Sequence, residues 1–209
     1  SNEKQTSYLE ISGFAQGTTF KIIYNDSLKR DFSSDVDSIL RDFDSELSLY
    51  IDSSELSKFN QLGNHYYLSN QSSYVKDCFR KSKEIYKLTR GAFNPAIYPL
   101  SKYWGFNNYT FKDSVSHLAI DSLLEISSFA DSSFYLVNDT VSIADGVFRV
   151  APFFYKTNPN SQLDFNAIAQ GYSVDVLGDF FKSKGCNDFM VEVGGEVVAN
   201  GLNPSKSNW

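Results

Sequence analysis

Leu163-Asp164-Phe165-Asn166-Ala167-Ile168-Ala169-Gln170-Gly171-Tyr172-Ser173-Val174-Asp175 is the stretch on which the fold turns. An apolar segment ends on an acid and passes directly into helical spacing, so we read a buried strand followed at once by a helix. Asn166 is a favoured N-cap residue, and Ile168, Tyr172, Val176 and Phe180 recur every four residues. That stripe is expected to anchor the helix and to leave its first N–H groups facing outward, where they suit a phosphate. The competing reading is an ordinary strand-to-helix turn whose Asp164 bonds nearby N–H groups. This segment alone does not separate the two.

The surrounding chain narrows the class. With 209 residues, 42% of them hydrophobic and 16% aromatic, it can bury a sizeable core. A net charge of −6 with no Lys/Arg run argues against nucleic acid or an anionic membrane surface as a partner, because both need a basic face. An anionic ligand therefore needs a local device, such as a helix N-terminus or a metal ion. Cys78 and Cys186 lack zinc-site spacing, and a disulfide between them has no support. Asn25, Asn70, Asn108 and Asn138 open N-x-S/T triplets, which a chain rich in Ser and Asn produces by chance. No apolar run is long enough to span a bilayer, and the polar start reads as a mature or engineered one.

Strand and helix periods alternate along the sequence. Residues 11–24 read as a strand pair interrupted by Gly13 and Gly17. Leu28, Phe32, Val36, Leu40, Phe43 and Leu47 then follow helical spacing, and the carboxylates from Asp35 to Glu46 are placed on its solvent side. A short helix is expected after Ser53 or Ser54. Another runs from Val75 until Gly91, and a third covers residues 121–126. Asn138-Asp139 reads as a two-residue hairpin turn between residues 134–137 and 140–143, and Gly194-Gly195 as a second turn between two strands. The result is α+β with no repeat and no linker, hence one domain over residues 1–209. Residues 201–209 resemble the start of a new strand, so the domain is expected to continue past Trp209.

Familiar catalytic arrangements are missing. His65 and His117 are the only histidines and stand without a nucleophile motif, so both are read as solvated. Neither G-x-G-x-x-G nor a Walker loop occurs. What remains is a series of unusual turns: Gln16-Gly17-Thr18, read as a bulge or close backbone approach, Gly91-Ala92-Phe93-Asn94-Pro95, and Gly194-Gly195.

Taken in order, these turns form a pattern. Gly13-x-x-Gln16-Gly17-Thr18, Ser48-x-Tyr50-x-x-Ser53-Ser54-Glu55-Leu56-x-x-Phe59-Asn60, Gly91 to Pro95 with Pro99-Leu100 and Trp104, Asp164-x-x-Ala167-Ile168-Ala169-Gln170-Gly171-Tyr172-x-Val174-Asp175, and Val193-Gly194-Gly195-Glu196-Val197 resemble the ApbE family of FAD:protein FMN transferases. The resemblance implies a two-layer, T-fold-related α+β architecture with a central flavin-binding cleft. It implies transfer of FMN from FAD to a Thr, or sometimes Ser, of a partner protein, with magnesium as cofactor and AMP released.

Carried over to this sequence, the resemblance makes Gln16, Tyr50, Ala92, Phe93, Asn94, Asp164 and Gln170 FAD contacts and the backbone carbonyl of Ala167 a magnesium ligand. Before the family is considered, Tyr50 reads equally well as a packing aromatic or as a ring for flavin or adenine stacking. The family often has Met for Gln16, Asp for Asn94 and Lys for Gln170. Its catalytic histidine and the Asp and Thr that complete the metal site fall beyond Trp209. It also implies an extracytoplasmic, membrane-anchored bacterial lipoprotein, facing the periplasm or cell exterior, with any lipid anchor outside this sequence. Two other readings keep the flavin and drop the acceptor: an FAD pyrophosphatase giving FMN and AMP, and a non-catalytic FAD-binding protein.

Overall fold

The first hairpin shows how local sequence sets the architecture. β1 (Tyr8–Ala15) and β2 (Thr18–Asn25) pair antiparallel with Ala15 opposite Thr18, which leaves Gln16-Gly17 as a two-residue turn. Both turn residues have left-handed backbone, φ 53° and 73°, as a hairpin loop matched to strand twist requires. Gly17 is therefore a turn residue with open space around it, and not the bulge or close backbone approach expected from the sequence. Gly13 faces Phe20 across the strands, and a Cβ there would stand 2.7 Å from the Phe20 ring, so glycine lets the buried ring lie flat on the sheet. The same turn recurs between β6 (Phe189–Val193) and β7 (Glu196–Asn200), where Gly194 and Gly195 have φ 58° and 93°.

This computed structural model describes residues 8–69, 73–106, 116–144 and 147–209. Asn70 and Asn108 of the N-x-S/T triplets lie outside them, as do residues 1–7 and 107–115. The chain divides into two units, one running through Asp44 and resuming at Ile168, the other Ser45–Ala167. Among the described residues no helix is long and apolar enough to cross a membrane.

In the first unit the antiparallel order is β1-β2-β6-β7. Alternate residues Phe20, Ile22 and Tyr24 of β2 and Phe189, Val191 and Val193 of β6 are buried, as the period of two demands. They share one core with Val36 and Leu40 of α1 (Ser33–Leu47) and with Val174, Leu177 and Phe181 of α6 (Asn166–Ser183). The buried face of α6 thus runs through Ala169, Ser173, Leu177 and Phe181, one residue on from the expected stripe. Ile168, Tyr172, Val176 and Phe180 are only half-buried, with Tyr172 against Phe43 and Phe180 edge-on to Phe32 at the margin of the core. Asp26 is buried beside β2 and takes a forked pair of bonds from Arg30, at 2.9 and 2.8 Å, while the same guanidinium reaches the Lys184 carbonyl at 2.8 Å. The Arg30 bonds hold the Asp26 carboxyl down at about 2.

The second unit carries a three-stranded antiparallel sheet, β3 (His65–Tyr67), β5 (Val147–Lys156) and β4 (Phe134–Ala144), in that order. Ala144 pairs with Val147, and Asn138-Asp139 runs on inside β4 opposite Pro152 and Ala151, so the expected hairpin turn is absent there. α2 (Glu55–Gln61) is capped by Ser54, whose hydroxyl accepts from the Ser57 N–H. α3 (Tyr74–Leu88) ends as Gly91 turns to φ 86°. A 3₁₀ turn (Pro95–Ile97), α4 (Tyr98–Tyr103) and α5 (His117–Ile126) complete the unit. Phe59, Phe79, Phe129, Phe134 and Phe154 form its aromatic centre, with Phe59 and Phe79 each 5.0 Å from Phe154. Glu46 is buried, against the expected solvent placement, because its carboxylate accepts the Ser73 and Val75 N–H groups where α3 begins. Cys78 and Cys186 are buried free thiols, one in each unit.

The segment leading into α6 is buried but belongs to no sheet, contrary to the strand expected there. Its backbone is satisfied by other means. Asn60 Nδ2 donates to the Leu163 carbonyl and Asn60 Oδ1 accepts its N–H, both at 2.8 Å, and the Asp164 N–H donates to the Pro95 carbonyl at 2.7 Å. Lys156, fully buried, donates to the Phe59, Asn60 and Ser161 carbonyls, and burial pushes its pKa down to about 8.

Two stability predictions follow from these bonds. Asn60→Ala strands both backbone groups of Leu163 in a dry site and should cost about 2–4 kcal/mol in urea denaturation, whereas Asn64→Ala, in a wetter place, should cost far less. For Asp26 the folded carboxyl titrates near 2 and the unfolded one near 3.8. The unfolded state therefore takes up the proton first as pH falls. The stabilisation, about 2 kcal/mol, should be complete above pH ~5 and vanish progressively as pH falls through ~2. Denaturation at graded pH checks this: Asp26→Asn should be less stable at neutral pH and lose that part of the acid slope.

Candidate functional site

In the first unit the β1–β2 turn projects Gln16 toward α6. Ser173 links it to Gln170: the Ser173 hydroxyl donates to the Gln170 carbonyl at 2.7 Å and lies 3.4 Å from Gln16 Oε1. Gln16 Nε2 is buried and has no hydrogen-bond partner among the described residues. Because the one Ser173 hydrogen is directed at Gln170, either orientation of the Gln16 amide leaves one end without a protein partner. The Gln16 N–H points to Asp44 Oδ2 at 3.4 Å, and burial raises the pKa of that carboxyl. Gly194 closes the group. A Cβ on it would stand 2.8 Å from Thr18 Cγ2 and 2.9 Å from Gln170 Nε2, so no larger residue fits between the two side chains.

The second unit holds the other candidates. Asn166 is the first helical residue of α6 and not its cap; its N–H is accepted by Asp164 Oδ1 at 2.8 Å, so a carboxylate already occupies one of the N–H groups reserved in the sequence reading for a phosphate. Ala167 is exposed in the first turn of the helix. Asn94 caps the 3₁₀ turn through Oδ1, which accepts the Ala96 N–H at 3.0 Å, and its Nδ2 donates to the Ser127 carbonyl at 2.7 Å. Its amide is thereby committed to the fold at both ends. Ala92 is exposed and Phe93 half-buried in the turn that follows α3, where Thr89 Oγ1 accepts the Phe93 N–H. Tyr50 is 58% exposed, which decides against a packing role for its ring. Its loop is pinned by Ser54 and Ser57, whose hydroxyls both donate to the Ser48 carbonyl.

Two groupings of the candidate residues form within units: Gln16 with Gln170 through Ser173, and the Asn94–Pro95 turn with Asp164 through the Pro95 carbonyl. Asp44 and Ser173 escaped the sequence reading. Asp44 follows Leu40 by four residues, which is core spacing, but its charge assigned it to the solvent face. His65 and His117 are exposed, as read. Among the described residues no group of three or more His, Cys, Asp or Glu stands together to hold a metal ion. The Ala167 carbonyl does not make a magnesium site by itself, since that ion takes six oxygen ligands, waters among them. The Gln16 corner is different: it holds a buried amide without a matching partner among the described residues, a group that a hydrogen-bonding ligand would satisfy.

Comparison with known proteins identifies the family. The chain is 28% identical over 214 residues to an FAD:protein FMN transferase of Vibrio cholerae, covering 99% of this chain and 59% of that protein. It is 24% identical over 212 residues to one of Haemophilus influenzae, covering 99% and 58%. Among solved structures, the flavin transferase ApbE from Vibrio cholerae superposes with a TM-score of 0.82 at 26% identity, covering 98% of this chain and 62% of that one. The apo form of the Pseudomonas stutzeri flavinyl transferase ApbE gives 0.81 at 25% identity, covering 98% and 64%. The chain thus spans about three fifths of the length of the relatives it matches. A sequence model of the ApbE family matches residues 16–209, and the chain belongs to that family.

Proposed function

We propose that this protein serves the transfer of FMN from FAD to a hydroxyl of a partner protein. The observation that carries the reading is the family match over residues 16–209, with relatives named FAD:protein FMN transferase along nearly the whole chain. In the reaction a Thr or Ser oxygen attacks the FMN-side phosphorus of FAD. The new phosphodiester bond forms as the pyrophosphate P–O bond breaks, AMP leaves with the bonding electrons, and the hydroxyl proton passes to a base. Gln16 offers the flavin its unmatched amide, and Tyr50 offers an exposed ring for stacking. Asp164 orders the entrance to α6. Magnesium dependence rests on the family resemblance; the residues described do not by themselves compose its site. The same resemblance supports placing the protein outside the cytoplasm on a lipid anchor.

Incubating the protein with FAD, magnesium and a candidate acceptor, followed by intact-mass analysis, tests the reading. One FMN should be gained on a Thr or Ser, with AMP in equal amount. Free FMN with AMP would make the protein a hydrolase, and unchanged FAD would leave it a binding protein. Two variants test the contacts. Gln16→Leu removes the unmatched amide, so thermal stability should hold or rise while FAD affinity falls roughly tenfold. Tyr50→Ala should leave the melting temperature unchanged and weaken FAD binding by about 1 kcal/mol, with Tyr50→Phe near neutral. Flavin fluorescence titration beside a melting curve reads both quantities.

A further inference from the structure

A cleft of about 300 Å³ lies wholly within the second unit, where α3 passes under β4 and β5. None of its residues enters the flavin reading. Lys76, Phe79, Arg80 and Lys83 line one wall, at helical spacings of three and four that put them on one face of α3. Leu136 and Pro152 supply an apolar floor, and Asn138 stands among them. Among the described residues no carboxylate lines the cleft, although the chain as a whole carries a net charge of −6. Three cations therefore converge over about 10 Å of helix against that trend.

Two of the three are partly engaged already, Arg80 and Lys83. Lys83 is drawn inward: Nζ donates to the Ala130 carbonyl at 3.1 Å and lies 4.5 Å from the centre of the Phe129 ring, with Asp131 no closer than 3.9 Å. Arg80 meets Asp77 at 2.9 Å in an exposed pair on the same helix, which is weak and uses one edge of the guanidinium. Lys76 makes no hydrogen bond or ion pair among the described residues. Two lysines and an arginine fork suit a dianion better than a single negative charge, and the planar fork matches phosphate oxygens. The apolar floor asks for more than inorganic phosphate, and the volume, at the small end of ligand sites, limits the body to about one ring.

We propose that this cleft binds a small organic phosphate, with the phosphoryl group held by Lys76, Arg80 and Lys83 and a compact apolar or aromatic body resting on Phe79, Leu136 and Pro152. Calorimetry on the 209-residue chain with phenyl phosphate as probe tests it, with inorganic phosphate and phenol as the two halves of the ligand. Phenyl phosphate should saturate one site and weaken as salt rises, inorganic phosphate should bind more weakly, and phenol should not bind. Lys76→Gln and Arg80→Gln should each reduce the affinity roughly tenfold, the loss expected for a charge-assisted bond. Their melting temperatures should not change, because neither side chain is buried. Saturating FAD should leave phenyl phosphate binding intact. The proposal is overturned if the probe does not saturate, if inorganic phosphate binds as well, if binding survives in the double variant, or if FAD displaces it.

Discussion

The Asn60 amide holds both backbone groups of Leu163, and the path of the chain into α6 depends on that pair of bonds. Leu163 and Phe165 are almost completely buried, yet the segment has no neighbouring strand. A buried peptide group needs a partner, and a side-chain amide offers the same donor and acceptor as a strand would. Lys156 completes the arrangement below it by gathering carbonyls from the end of α2 and from Ser161. A cation in that position is disfavoured by its loss of water, as its lowered pKa shows, and it persists because several carbonyls share the one charge. α2 is therefore fixed at both ends by polar groups, Ser54 at its start and Asn60 with Lys156 near its close.

This same junction marks the limit of what the sequence reveals. Features set by near neighbours were legible: the Ser54 cap, the stop at Gly91, the glycine pair between β6 and β7, and the α+β class itself. Features set by distant partners were not. Leu163 to Phe165 has strand composition, but Asn60 lies about a hundred residues away and nothing local announces that it will stand in for a strand. The α6 stripe was displaced by one residue because Ser173 and Gly178, small residues without apolar bulk, occupy the buried face. Glu46 follows Phe43 by three residues, a core position, and was assigned to solvent because its charge outweighed its spacing. Only the opening of α3 against it supplies the N–H groups that make burial tolerable.

The charges of this acidic chain are disposed accordingly. Asp26 is matched by Arg30, Glu46 by backbone at the start of α3, and Asp164 by the first N–H of α6. Each carboxylate closes a turn or a helix end, so part of the negative charge is neutralised locally. Asp164 also alters the anion-binding picture of α6. With its carboxylate on the Asn166 N–H, the helix terminus has less free positive potential to offer an anion.

Gln16 stands out against that pattern of satisfied polar groups. It lies in a left-handed turn, which asparagine or glycine would fill more readily, and it buries an amide that the protein does not fully match. Ser82 also has a buried oxygen without a partner, but a serine hydroxyl inside a helix can rotate onto the carbonyl one turn back with little movement. The Gln16 amide has no such recourse, because the Ser173 hydroxyl is held by the Gln170 carbonyl. An unsatisfied amide costs about 1–3 kcal/mol, which a purely structural turn would lose by the simplest of substitutions. Local defects of this kind concentrate where a ligand completes the bonding. Among the described residues, the unmatched end of Gln16 is thus a buried polar group that no element of the chain satisfies.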